Sequence, residues 1–161
     1  MRPEILARAE AVLGDCRAAG LMVATVESCT GGLLAGALTA IAGSSDVVER
    51  GFVTYSNEAK TELVGVPAAL IARHGAVSEE VARAMAEGGL ARSRAAIAVA
   101  VTGIAGPGGG SAAKPVGLVH VAAQRRGGAA VAERHVFAGD RAAVREASVA
   151  VALGLILRLA A

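Results

Sequence analysis

Apolar positions fall into two rhythms along this chain. From Glu4 to Ala19, Ile5, Leu6, Val12 and Leu13 recur with charged residues between them, which predicts an amphipathic helix closed by Gly20. Leu21 to Val26 is an apolar run of strand length, interrupted only by Thr25. The helical rhythm returns over Leu33 to Ile41 and stops at Ala42-Gly43-Ser44-Ser45. Gly51 to Tyr55 is rich in β-formers and predicts a second strand, followed by helical turns over Asn57 to Leu63 and a short helix from Pro67 to Arg73. Ser78, with Glu79 and Glu80 behind it, predicts a capped helix to about Ala91. Ala95 to Val101 is a fully apolar strand, and Gly103 to Pro115 is a loop dense in Gly and Pro. Val116 to Ala123 and Ala130 to Phe137 predict a strand pair turning at Arg125-Arg126-Gly127-Gly128. Asp140 caps a last helix, Arg141 to about Leu159.

Buried strands alternating with helices predict an α/β fold: a three-layer α/β/α sandwich with a mainly parallel sheet plus an antiparallel hairpin. The 161 residues suffice for one domain spanning 1–161, with no repeat and no linker; the Gly/Pro loop lies between two strong strands and reads as a functional loop.

Composition narrows the chemistry. Hydrophobic residues are 54% and charged residues 19%, so the chain is expected to fold; aromatics are only 2%, so Ala, Val, Leu and Ile build the core. A formal charge of +2 and the scarcity of aromatic rings argue against a nucleic-acid partner. The uncharged run Ala147 to Leu157 falls short of the roughly 18 residues of a membrane span. It reads as a buried or subunit-facing helix, so a homo-oligomer is expected, with core packing as the other explanation. Two cysteines, Cys16 and Cys29, and no evident signal peptide predict a cytoplasmic protein. No cofactor and no metal are expected, because no Cys/His/Asp cluster has ligand spacing.

Three segments follow strand ends, where open α/β sheets bind ligands. The first is Glu27-Ser28-Cys29-Thr30-Gly31-Gly32. It reads either as a tight capped turn or as a nucleophile beside an anion-friendly backbone. Ser28 needs a base. Of His74, His120 and His135, only His74 lies in a loop; the lysines are Lys60 and Lys114. Lys60 follows Tyr55 and Asn57 by a helical turn, and reads as a base or as a solvated surface residue. The third segment carries Thr102, Gly103 and Gly106, whose amides could hold an oxyanion or phosphate. The Ser111-Ala112-Ala113-Lys114 spacing matches that of penicillin-recognising enzymes, but Gly108 to Gly110 and Pro115 deny it the helix it needs. Arg141, with Arg145 one turn on, either grips an anion or lies exposed beside a cap.

Six blocks taken in order carry a resemblance: Glu27 to Gly32, Gly51 to Lys60, His74 to Ser78, Thr102 to Pro107, Lys114 to Gly117, and Gly139 to Arg141. Together they resemble the CinA C-terminal domain family, the bacterial nicotinamide-nucleotide amidohydrolases. The resemblance implies hydrolysis of the carboxamide of nicotinamide mononucleotide, giving nicotinate mononucleotide and ammonia, as part of pyridine-nucleotide salvage. It implies Ser28 as nucleophile, Lys60 as its base and Tyr55 assisting. Glu27, Cys29, Thr30, Gly31, Gly32, Asn57, Thr102, Gly103, Gly106 and Arg141 would bind substrate. Cys29 is the rival nucleophile. The other readings are a non-catalytic nucleotide-binding or regulatory domain, and a Ser-Lys amidase acting on a different small amide.

Overall fold

The computed structural model describes all residues, Met1–Ala161. Six helices and five strands follow one another: α1 (Pro3–Ala19), β1 (Val23–Glu27), α2 (Leu33–Thr39), β2 (Val48–Val53), α3 (Asn57–Val64), α4 (Ala68–His74), α5 (Glu79–Ala91), β3 (Ile97–Gly103), β4 (Leu118–Arg125), β5 (Val131–Val136) and α6 (Arg141–Ala160). Local chemistry sets several boundaries. Gly20 adopts the left-handed conformation that ends α1. Ser56, Ser78 and Asp140 each accept a main-chain N–H from the first turn of the helix they precede.

The sheet order is β2-β1-β3-β4-β5. β1 pairs parallel with both β2 and β3, whereas β3–β4 and β4–β5 are antiparallel. Only β4 therefore runs against the rest, and the parallel half of the sheet is β2-β1-β3. β2 begins three residues earlier than its composition suggests, because its backbone pairs with β1 from Val48 onward; the last bond between them is Thr54 N to Glu27 O at 2.8 Å, and Tyr55 lies beyond it.

Alternating side chains of the sheet serve two cores. Ile97, Val99, Val101, Val119, Val121 and Ala123 face α1, α2 and α6. Ala100 and Ala122, with Val26, face α3, α4 and α5. The uncharged run in α6 is accounted for within the chain, because Val149, Ala152, Leu153, Leu155 and Ile156 are buried against α1 and the sheet. The second face is built from smaller side chains, and α5 lies close. A Cβ on Gly88 would fall 1.8 Å from the carbonyl oxygen of Val64, so α3 and α5 touch backbone to backbone there.

This layering creates the crevice where the site lies. The chain leaves β1 toward α2 on one face and leaves β2 toward α3 on the other. Neighbouring parallel strands whose connections diverge leave a gap at their carboxyl ends.

Gly88→Ala is expected to lower stability by about 1–3 kcal/mol through overpacking. Gly36→Ala in α2, where a Cβ meets nothing within 4 Å, is expected to be neutral or slightly stabilising. Chemical denaturation of both variants checks the contrast.

Candidate active site

A cavity of about 300 Å³ opens at the carboxyl ends of β1, β2 and β3. Its walls include Ser28 and Cys29 from the β1–α2 turn, Tyr55, Asn57 and Lys60 from the start of α3, Ala76 and Val77 ahead of α5, and the Gly-rich loop after β3.

Lys60 is the least ordinary residue in it. Only 1% of its surface is exposed. Its Nζ lies 3.1 Å from Ser28 Oγ, and 2.9, 3.2 and 3.4 Å from the carbonyl oxygens of Thr54, Tyr55 and Ser56. No carboxylate pairs with it. Burial disfavours the ammonium and lowers the Lys60 pKa below its usual 10.5. A neutral amine can donate two N–H groups to Thr54 and Tyr55 and offer its lone pair to the Ser28 hydroxyl. An ammonium can donate to those carbonyls and to Ser28 Oγ, while the serine hydroxyl turns to Tyr55 O at 3.4 Å. The cage satisfies both protonation states.

The turn that presents Ser28 is held from two sides. Glu27 ends β1 fully buried, and its carboxyl oxygens accept from Leu34 N (2.8 Å) and Ala35 N (3.1 Å), capping α2 from outside the helix. From α6, Arg145 donates to the carbonyls of Cys29 (3.2 Å) and Thr30 (3.0 Å). Gly31 N donates to Ser28 O at 3.0 Å, and Gly31 and Gly32 both have positive φ. The amides of Cys29 and Thr30 have no main-chain acceptor.

Glu27, Thr30, Gly31 and Gly32, expected from the sequence to touch substrate, do not line the cavity. Glu27 is consumed by the helix cap. Thr30 is fully buried, and the two glycines provide the backbone conformation of the turn. The helix terminus expected to offer free amides has two of them occupied by Glu27. Ser28, Cys29, Tyr55, Asn57, Lys60, Thr102, Gly103, Gly106 and Arg141 do line the cavity. Thr102 and Gly103 remain paired with His120 and Val119, and Thr102 Oγ1 donates to Ala76 O at 2.9 Å.

Arg141 spans the mouth, donating to Gly106 O (3.0 Å) and to Tyr55 Oη (3.2 Å). Tyr55 itself is 60% exposed, so its ring forms the rim. Arg141 also borders a larger hollow of about 660 Å³ beside the cavity, lined by Gly139, Asp140 and Arg145 among others. In the Gly-rich wall the amides of Ala105, Gly106, Gly108 and Gly109 have no main-chain acceptor.

Sequence reasoning missed Ala76, Val77 and the carbonyl cage of Lys60. Main-chain carbonyls carry no residue-type signal, and Ala and Val read as packing. The other candidate bases sit elsewhere. His74 faces Glu80 at 3.6 Å, His135 stacks on Phe137, and His120 is buried in β4. Lys114 Nζ is engaged by His74 O at 2.6 Å. Cys29 lies beside Ser28 and Lys60 on the cavity wall, but burial pushes its thiol up to about 11.

Comparison with known proteins adds an independent line. The model of the CinA C-terminal domain matches residues 6–160. A CinA-like protein of Mycolicibacterium vanbaalenii is 56% identical over 140 residues; these are 87% of this chain but 33% of that protein, so this chain spans about a third of that relative's length. The nicotinamide-nucleotide amidohydrolase PncC of Escherichia coli K12 is 51% identical over 150 residues, 93% of this chain and 91% of that one. Among solved structures, the competence/damage inducible protein CihA from Agrobacterium tumefaciens superposes with a TM-score of 0.97 at 52% identity, covering 99% of this chain and 97% of that one.

Both thiols, each held near pKa 11, are expected to resist iodoacetamide at pH 8 in the folded protein and to react fully in urea. Mass spectrometry of the alkylated protein checks this; rapid native modification of Cys29 would restore it as a nucleophile.

Proposed function

The chain belongs to the CinA C-terminal domain family, and on that premise we propose that it hydrolyses the carboxamide of nicotinamide mononucleotide to nicotinate mononucleotide and ammonia. The observation that carries this reading is the 3.1 Å approach of the buried, carboxylate-free Lys60 amine to Ser28 Oγ on the wall of a cavity. The relative named for this activity is matched over nine-tenths of both chains, which supports the substrate.

Neutral Lys60 takes the Ser28 proton as Oγ attacks the carboxamide carbon. The carbonyl π electrons move to oxygen, and main-chain amides of the β1–α2 turn or the Gly-rich wall stabilise the oxyanion, at about 3 kcal/mol per donor. Collapse of this intermediate re-forms the carbonyl and breaks the carbon–nitrogen bond. The Lys60 ammonium protonates the departing nitrogen, so ammonia leaves and an ester remains on Ser28. A water then attacks the ester and gives its proton to Lys60. Collapse returns that proton to Ser28 Oγ and releases the carboxylic acid. Lysine serves as both base and acid because burial has lowered its pKa. Tyr55 and Arg141 close the mouth over the ring. Arg141 and the free amides of the Gly-rich wall hold the phosphate.

Ser28→Ala and Lys60→Met are each expected to reduce ammonia release from the nucleotide by at least about 10³-fold with the fold intact. Near-normal turnover in either would exclude this pair. A panel of other amides, run on the unmodified protein, separates this substrate from a different one; failure on all of them would leave a binding domain.

The base must be neutral to act, so kcat/KM is expected to fall as pH drops through the Lys60 pKa. The inflection should lie below 10.5, the usual lysine value. A profile still rising steeply above that pH would contradict a desolvated base.

A further inference from the structure

The Ser111-x-x-Lys114 segment takes no part in the reaction proposed above, yet it is ordered by its own hydrogen bonds. Ser111 N donates to Lys114 O at 2.7 Å, and Lys114 N donates back to Ser111 Oγ at 3.0 Å. The closed turn is a loop device in which serine replaces a main-chain acceptor. It aims Lys114 away from the reaction cavity, into a neighbouring hollow that shares Val77 with it.

There Lys114 Nζ donates to His74 O at 2.6 Å. His74 is the last residue of α4, and its carbonyl lies at the negative end of that helix. The next residue, Gly75, has φ +79°, and a Cβ on it would fall 2.6 Å from Lys114 Nζ. Glycine there provides both the turn and the space for the ammonium. One residue further, Ala76 O accepts from Thr102 Oγ1, which ties the same segment to β3.

These contacts join two cavity walls that sequence separates by about thirty positions. Ala76 and Val77 form one wall; Ile104, Ala105, Gly106, Gly108 and Gly109 form the other. Between Ile104 and Gly117 the Gly-rich wall is otherwise anchored near its two ends, at Ile104 N to Leu118 O, Gly117 N to Ile104 O and Leu118 N to Pro115 O, and by Arg141 on Gly106 O. A glycine-rich loop with few internal bonds has much conformational freedom to lose on ordering.

We propose that Lys114 is a positioning residue, a latch that fastens the Gly-rich wall to the His74–Val77 segment and so holds the cavity in the shape that binds substrate. It touches none of the reacting atoms. Releasing it leaves the Ser28–Lys60 pair intact and makes the wall reorder at each binding event, so the loss falls on KM rather than on kcat. The substrate part of this inference rests on the proposed amidohydrolase reading; the latch itself does not.

The test is Lys114→Met in the full chain, read two ways. Hydrogen exchange of peptides carrying Ile104 N and Ser111 N, the hydrogen-bonded amides of residues 104–113, is expected to accelerate about tenfold, as for loss of one charge-assisted hydrogen bond. KM for nicotinamide mononucleotide is expected to rise about tenfold with kcat within about threefold, and Lys114→Arg to recover most of the loss. Unchanged exchange in that loop overturns the latch, whatever KM does. A fall in kcat at unchanged KM also overturns it, by placing Lys114 in the chemistry. If the unmodified protein releases no ammonia, the functional reading fails while the exchange experiment still decides the latch. Should Lys114→Met not fold, Ser111→Ala removes the turn bond and keeps the ammonium. It is expected to accelerate the same peptides by a smaller factor, and no acceleration overturns the proposal.

Discussion

An amine buried to 1% exposure without a carboxylate partner is costly, and the site is organised around that cost. Three main-chain carbonyls and one serine hydroxyl surround Lys60 Nζ, all within 3.4 Å. Carbonyl oxygens stabilise an ammonium less than a carboxylate does, so desolvation wins and the pKa falls. A carboxylate in the same place would have fixed the proton on nitrogen. The carbonyl cage therefore leaves the proton less firmly held than on an ordinary lysine.

The fold makes this geometry rigid. The carbonyls belong to the three residues between β2 and α3, and Ser56 also caps α3 through its side chain. Lys60 sits one turn into that helix, so its Nζ folds back over the helix start. Ser28 comes from the neighbouring strand end. Its turn is braced by the buried Glu27 carboxyl on one side and the Arg145 guanidinium on the other. Arg145 holds the Cys29 and Thr30 carbonyls toward α6, and the amides of Cys29 and Thr30 have no main-chain partners. The layout follows from the crossing order β2-β1-β3, which sends α2 and α3 to opposite faces of the sheet.

Much of this was legible in the residues. Gly20, Ser78 and Asp140 announced element ends because caps depend on residue type, and the helical and strand rhythms gave every element to within a few positions. β2 was displaced because strand limits are set by pairing with β1, which the strand's own composition does not encode. At the site, hydroxyl, amine and arginine residues after strand ends could be listed from the sequence alone. Their convergence could not, because Ser28 and Lys60 lie on different connections. Glu27 is expected from the sequence to touch substrate; in the structure its carboxyl turns back to cap the helix that begins six residues later, which nothing in its sequence neighbourhood encodes. The glycines and proline flanking Ser111–Lys114 exclude the helix that the Ser-x-x-Lys motif needs, and the structure has none there, but the contact of Lys114 with His74 required the structure.

The most direct test of this account is the protonation of Lys60 itself. Selective ¹³Cε labelling of lysine suits a chain with only two lysines, and a Lys60→Met comparison assigns the signals. The Lys60 resonance is expected to titrate below the usual value of 10.5, and to do so without any carboxylate titrating in step. A Lys60 that keeps its proton at or above that value would contradict it, because an ammonium that stable cannot accept the Ser28 proton.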